Sequence, residues 1–280
     1  MNSAPARAER KSNFFLGFLL LPRPKRDALS AVYAYCRLID DIVDDGTLPI
    51  EEARRRLDFW REEIERLFQG APTHDVSRAL LRPIADYAIP KETFHEMIRG
   101  CALDLDGTRY ETAADLENYM RGVASSVGIM CVHVFGWRHT SPDAMREFAV
   151  TFGYAFQLTN IIRDVGADLE LGRVYLPAAD IRAAGYSVES LMRRDHGPAF
   201  DRLLEGQYRR AKDYYARARA LVDARDRRSL LPAEVMAHVY EGLLDQIKED
   251  GFRVLFRKAA LPAHRKLALA LQAWLYCHGL

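Results

Sequence analysis

The sequence lacks the features that would place it in the commoner enzyme classes. Its 4 cysteines, Cys36, Cys101, Cys131 and Cys277, stand far apart and form no CxxC pair. That argues against a disulfide framework or a zinc site and for reduced, mostly buried thiols. The 8 histidines include no HExxH, and the 17 glycines form neither GxGxxG nor GxxxxGK[ST], so the usual glycine-rich phosphate cradles are missing. Charge of one sign is not in excess: 40 Lys+Arg against 39 Asp+Glu leave a net +1. Nothing in that balance calls for nucleic acid as a partner. Long hydrophobic runs are also missing. Phe14–Leu21 stops at Pro22, far short of the ~20 residues a spanning helix needs, and Leu267–Leu280 carries Gln272 and His278 and reads as a packed terminal helix. Pro22 and the basic run after it spoil a secretory signal. The expectation is a soluble, cytoplasmic chain with peripheral contact at a membrane surface.

What is present is helical patterning. The chain is 49% hydrophobic and 28% charged, a globular balance, and strand-like alternation never persists. The spacing predicts helices over Lys25–Asp45, Glu51–Gln69, Asp75–Tyr87 and Lys91–Asp106. It predicts one long apolar helix with several small residues over Asp115–Gly136. Ser141 and Pro142 supply a cap and a first helical residue for another, running to about Val165. Gly166–Asp180 reads as loop; Ala199–Arg225, Pro232–Glu249 and the segment from Pro262 read as helices. No repeat, linker or composition shift marks a boundary. One all-α domain over residues 1–280, of about ten helices, is the simplest account.

Within the first helix stands Arg37-Leu-Ile-Asp40-Asp41-Ile-Val-Asp44-Asp45. At about 100° per residue, Leu38, Ile39, Ile42 and Val43 share one face, while Asp40/Asp44 and Asp41/Asp45 stack on the other. A solvated acidic face is the plain reading. Against it, like charges one turn apart cost about 0.2–0.5 kcal/mol per pair, and the helix's C-terminal end disfavours anions. Both penalties call for a cation, and oxygen ligands without His or Cys favour magnesium.

A second ladder follows in Gln157-Leu-Thr-Asn160-Ile-Ile-Arg163-Asp164-Val-Gly-Ala-Asp168. Asn160, Asp164 and Asp168 recur every fourth residue, spread over about 80° of one face. A polar stripe facing solvent, with Asn160 as a satisfied core amide, is the competing account. Facing each other across a cavity, the two ladders could hold several Mg²⁺ ions that bridge to a diphosphate. Arg37 and Arg163 lie beside them, either as phosphate partners or as ordinary ion pairs with the neighbouring aspartates.

The chain resembles the squalene/phytoene synthase family in SNFFLGFLLLP (Ser12–Pro22), YAYCRLIDDIVDD (Tyr33–Asp45), DLDGTRY (Asp104–Tyr110), VASSVG (Val123–Gly128) and QLTNIIRDVGADLELGRVYLP (Gln157–Pro177), and more weakly over Tyr240–Lys266. The resemblance implies an all-α terpenoid-synthase bundle around a central cavity. It implies Asp40, Asp41, Asp44, Asn160, Asp164 and Asp168 at the magnesium site, and Tyr33, Arg37, Arg163 and Tyr240 at the diphosphate, with Arg257 of the Arg257-Lys258 pair joining them. Phe14, Phe18, Tyr119, Val123, Ala124, Gly128 and Gln157 resemble cavity-lining positions. Ala167 stands where relatives commonly carry a second acid before the last aspartate, which removes a carboxylate but leaves the ladder intact. NIIRDVG and GRVYLP are similar to bacterial presqualene diphosphate synthases and phytoene synthases.

The expected activity is therefore Mg²⁺-dependent head-to-head joining of two prenyl diphosphates, most simply two farnesyl diphosphates to presqualene diphosphate, in hopanoid or carotenoid biosynthesis. NADPH is not expected. Phytoene synthesis from geranylgeranyl diphosphate and conversion of presqualene diphosphate to hydroxysqualene are the alternatives within the family. A head-to-tail elongase or a terpene cyclase shares the first cluster but carries a different second one. A non-enzymatic helical cation-binding scaffold is the alternative from another class. Oligomeric state cannot be read from the sequence.

Overall fold

The structure is a computed structural model that describes residues 21–44 and 48–280. The expectations for Phe14, Phe18 and Asp45 lie outside the described residues. Among those described there is no strand, and no helix is long and apolar enough to cross a membrane.

Helix α1 (Arg23–Asp44) buries Leu29, Val32, Tyr35, Cys36, Ile39 and Val43 along one stripe, the face that the 3.6-residue period assigns to the core. Lys25 Nζ donates to the Phe135 carbonyl at 2.6 Å, and the buried Tyr35 hydroxyl donates to the Phe94 carbonyl at 2.9 Å. Helices α2 (Ile50–Phe68) and α3 (Asp75–Tyr87) follow. Their turn is folded around Glu63, which is fully buried. It accepts from the Thr73 and His74 backbone N–H groups at 2.7 and 2.8 Å, and from Arg66 Nε at 2.9 Å. Helix α4 (Lys91–Leu105) then runs alongside α1 and α2.

The long helix expected over Asp115–Gly136 is interrupted. Helix α5 (Ala113–Met120), a π-turn at Arg121–Ser125 and helix α6 (Ser126–Phe135) run on from one another. The reason lies in packing: the wider turn carries small residues against two neighbours at once. A Cβ on Gly122 would stand 2.5 Å from Gly100 Cα of α4, and one on Gly153 would stand 2.5 Å from Ser125 Cα. Close backbone approach of this kind requires glycine. Insertion of a π-turn into an α-helix is a frequent companion of functional sites.

Helix α7 (Pro142–Glu170) is the central element, capped by Ser141 Oγ, which accepts from Ala144 N at 3.2 Å. It continues through Gly166–Glu170, where the sequence suggested loop. Gly166 is tolerated because the backbone of Leu255 presses on it: an added Cβ would lie 2.6 Å from the Leu255 carbonyl oxygen. The glycine marks a close approach, not a break, and the extension keeps Asp168 in helical register with Asp164.

Two short helices that the periodicity missed, α8 (Ala178–Ala183) and α9 (Val188–Met192), bury Ile181 and Leu191 respectively. Helices α10 (Pro198–Ala220), α11 (Leu231–Glu249) and α12 (Ala263–His278) close the bundle. Asp226, buried in a 3₁₀ turn, accepts from the backbone N–H groups of Arg138, His139 and Thr140 at 2.9, 2.9 and 2.6 Å and pins the loop after α6. The 4 cysteines are free and buried, as their spacing predicted.

Candidate functional site

A cavity of about 300 Å³ runs between α1, α6, α7 and α11. The Lys25 bond places the first turn of α1 beside the end of α6, so Leu29, Phe135 and Phe148 wall one end and Val32, Phe152 and Met236 the length. The walls are apolar. Tyr33, Arg37, Asp40, Gln157, Asn160 and Tyr240 bring polar groups to the same cavity, because they lie further along α1 and α7 and on the inward side of α11. Val123, Ala124 and Gly128 line the wall from the π-turn and α6. Gly128 also packs so close to α7 that a Cβ would lie 2.7 Å from the Ala149 carbonyl.

The two oxygen ladders meet here. Asp40 and Asn160 line one cavity. Arg173, in the loop after α7, donates to Asp44 Oδ1 at 2.6 Å and to the Val43 carbonyl at 3.1 Å, and its charge acts on Asp168. Asp104, from the last turn of α4, acts electrostatically on both Asp40 and Asp168. It accepts from the hydroxyls of Tyr119 and Tyr175 at 3.0 and 2.8 Å.

This concentration of carboxylates shifts their acidities. Burial, followed by the charge of Asp44, pushes Asp40 up to about 6 against the opposing pull of Arg37. Burial and Asp164 push Asp168 up to about 7, with Arg173 and Lys258 opposing. Burial raises Asp104 as well, against its two tyrosines and Arg173. Asp164 goes the other way: burial alone would raise it, but bonds from Arg163 and Lys258 hold it below the usual carboxylate range. Carboxylates that resist ionisation in a folded protein are a mark of a site arranged for a cation or for proton chemistry.

Arg37 bonds Asp40 at 3.3 Å and Asp41 at 2.6 Å, so it takes up the ion-pair role in this structure. Asp41 belongs not to the main cavity but to a neighbouring concavity with Arg37, Arg55 and Phe59. Arg163 Nε donates to Asp164 Oδ1 at 2.8 Å and the guanidinium also bonds the Tyr240 hydroxyl.

Besides Asp41, expected at the magnesium site but turned to the neighbouring concavity, two placements differ from expectation. Tyr119 does not line the cavity; its ring stacks on Tyr175 at 5.1 Å and its hydroxyl is held by Asp104. Arg257 turns outward to Asp250 at 2.9 Å, and it is Lys258 whose Nζ reaches Asp164 Oδ1 at 3.0 Å. Asp104, Arg173, Tyr175 and Lys258 are residues that spacing did not single out. All four stand inside segments given for the resemblance, Lys258 in the weaker one, but none belongs to a ladder, and only tertiary folding brings them to the acids.

The donor set fits a hard cation that binds jointly with substrate. Among the described residues no group of three or more His, Cys, Asp or Glu is drawn tightly enough to hold an ion by itself. Asn160 Oδ1, however, is buried without a hydrogen-bond partner, a situation that costs about 1–3 kcal/mol, and it lines the same cavity as Asp40, whose acidity burial and Asp44 weaken. Magnesium commonly takes one or two carboxylates and completes its shell from water and substrate phosphates.

Comparison with known proteins gives the family and the fold. A profile of squalene/phytoene synthase matches residues 8–266. A 15-cis-phytoene synthase of Synechocystis sp. is 34% identical over 280 residues, spanning 96% of this chain and 82% of the relative. A presqualene diphosphate synthase of Zymomonas mobilis is 33% identical over 269 residues, spanning 96% and 90%. Among solved structures, a dehydrosqualene synthase in complex with ligand superposes with a TM-score of 0.85 at 26% identity, covering 99% of this chain and 95% of that one. The squalene synthase HpnC from Alicyclobacillus acidocaldarius gives 0.78 at 28% identity, covering 89% and 93%. Ladder, cavity and similarity agree, and the chain belongs to the squalene/phytoene synthase family of prenyltransferases.

Proposed function

We propose that the protein joins two molecules of farnesyl diphosphate head to head to give presqualene diphosphate. The observation that carries the reading is an apolar cavity that receives, in one place, Asp40 and Asn160 from facing ladders together with Arg37 and Tyr240. Such a cavity suits a prenyl tail, and its polar residues suit a diphosphate. A presqualene diphosphate synthase stands among the relatives at 33% identity, beside a phytoene synthase at 34%.

Asp40, Asp44, Asn160, Asp164 and Asp168 would hold Mg²⁺. When bound, the metal supplies Lewis-acid stabilisation of the departing diphosphate. Arg37, Arg163, Lys258 and the Tyr240 hydroxyl would grip the phosphate oxygens, and charge-assisted bonds of this kind strengthen as negative charge develops on the leaving group. The Arg37 and Arg163 pairs with aspartate then exchange carboxylate for phosphate. Val32, Phe152 and Met236 exclude water that would otherwise trap the allylic cation. The 2,3 double bond of the second farnesyl diphosphate attacks that cation, and loss of a proton closes the cyclopropane.

The test is incubation with Mg²⁺ and either farnesyl or geranylgeranyl diphosphate, with and without NADPH, followed by mass analysis. A C30 cyclopropyl diphosphate formed without NADPH is expected. Phytoene from the C20 diphosphate would replace the proposed substrate, since phytoene synthases are also among the relatives. A linear C20–C25 diphosphate, a cyclic C15 hydrocarbon or no turnover would refute the reaction itself.

A further inference from the structure

Two helix ends that touch each other stop in the left-handed region without using glycine. Arg194, after α9, has φ +58°, and Phe252, after α11, has φ +51°. Helix stops of this kind usually carry glycine, because a Cβ is strained there. A glycine at 194 would end α9 equally well: the stop is made by the Arg194 and Asp195 N–H groups, which bond the Leu191 and Ser190 carbonyls, both at 2.9 Å. What glycine would lack is the side chain. Strain kept where a simpler residue would serve points to a use for that side chain.

The Arg194 guanidinium joins three elements. It donates to the Leu255 carbonyl at 3.3 Å, to the Gly166 carbonyl at 3.1 Å and to Glu170 Oε1 at 2.9 Å. His196 Nε2, two residues on, bonds the Gly251 carbonyl at 3.0 Å. The short loop between α9 and α10 therefore holds the chain from Gly251 to Leu255 against the last turns of α7, which carry Asp164 and Asp168. Lys258 follows directly and reaches Asp164 Oδ1 at 3.0 Å. Its side chain is 62% exposed, so packing does not place it. The backbone must, and the 3₁₀ turn Arg253–Leu255 before it is only 3 residues long, too short to fix its own position.

We propose that Arg194 is a positioning residue for the diphosphate site: it sets the Arg253–Leu255 turn on the end of α7 so that Lys258 stands over Asp164, where diphosphate is received. Arg194 is not among the residues that line the cavity, and it acts through Lys258. The inference rests on the reading of Lys258 as a diphosphate contact.

The experiment is calorimetric titration of the full chain with inorganic diphosphate in the presence of Mg²⁺, which reads affinity without turnover. The variant is Arg194→Gly, because glycine removes the guanidinium and relieves the left-handed strain together; it should melt within about 5 °C of wild type. Lys258→Ala should weaken diphosphate binding at least about tenfold, and Arg194→Gly at least about fivefold. The double variant should bind within about twofold of Lys258→Ala, since a residue that works through Lys258 has nothing left to work on. A merely structural role would lower the melting temperature or the bound stoichiometry and leave the affinity of folded molecules unchanged. Wild-type affinity in Arg194→Gly, or a double variant about fivefold or more weaker than Lys258→Ala, would overturn the inference alone. No binding by wild type, or wild-type affinity in Lys258→Ala, would overturn the reading of Lys258 and the inference with it. If Arg194→Gly does not fold, Arg194→Gln, which puts a neutral donor in place of the charged one, is held to the same comparisons.

Discussion

Replacing Asp168 by Asn should stabilise the metal-free protein at alkaline pH while destroying its activity. In the folded chain Asp168 is raised to about 7, whereas an unfolded aspartate titrates near ~3.9. Between those values the folded state holds a proton that the unfolded state has released, so stability falls as pH rises through the window and stays low above it. About three pH units at ~1.4 kcal/mol each set an upper bound of about 4 kcal/mol. The side chain is partly exposed, so water screens much of that, and about 1–2 kcal/mol remains. For a chain of this size that is a rise in Tm of about 2–5 °C. Melting in EDTA at about pH 8 should show the gain in full, melting at about pH 5.5, midway through the window, about half of it, and melting near about pH 4, where both states hold the proton, little. Turnover should fall at least about 100-fold, as for other stability-for-function exchanges at charged sites. A variant that melts no higher than wild type at pH 8, or one whose advantage is the same at all three pH values, would refute the electrostatic reasoning.

Lys258→Ala should lower turnover about 10–100-fold through loss of a charge-assisted contact at Asp164. Arg257→Ala, which breaks only an exposed pair with Asp250, should stay within about twofold by steady-state kinetics. Gly153→Ala forces a Cβ to 2.5 Å from Ser125 Cα and should destabilise by about 3 kcal/mol or more in urea unfolding. Gly206→Ala in α10, where an added Cβ meets nothing within 4 Å, should stabilise by about 0.5–1 kcal/mol in the same assay. Glu63→Gln keeps the shape of a fully buried side chain but removes the charge that Arg66 and two backbone N–H groups address. It should cost about 2–3 kcal/mol.

Helices and ladders were legible because both are local. Asp75–Tyr87 was delimited as observed, since a proline and polar turns bracket one strong apolar stripe. The approach of Asp40 to Asn160 was foreseeable only as a condition, because spacing along each helix says nothing of how two helices face. Glycine misled twice for one physical reason. At Gly166 the pattern suggests a stop and at Gly122 ordinary helix, yet both are contact points where a neighbouring backbone occupies the position of a Cβ. Asp104, Arg173 and Tyr175 gave no periodic signal, since each is single in its segment and acquires meaning from chain brought near by folding. Choosing between Arg257 and Lys258 needed the direction of each side chain in a non-repeating turn, which no periodicity encodes.

The contact at Gly166 reaches further than packing. Arg194 clasps the same junction, donating to the carbonyls of Gly166 at 3.1 Å and Leu255 at 3.3 Å, and Lys258 departs from that junction three residues beyond Leu255. The cationic arm over Asp164 is thus moored before any ligand arrives, so little of its ordering entropy remains to be lost on binding. An inert position with no side chain sets how well a charged one is aimed. Enlarging residue 166 would push the Leu255 carbonyl away and slacken the arm without altering any side chain of the site, and a loss of rate there would look like chemistry while its origin was mechanical.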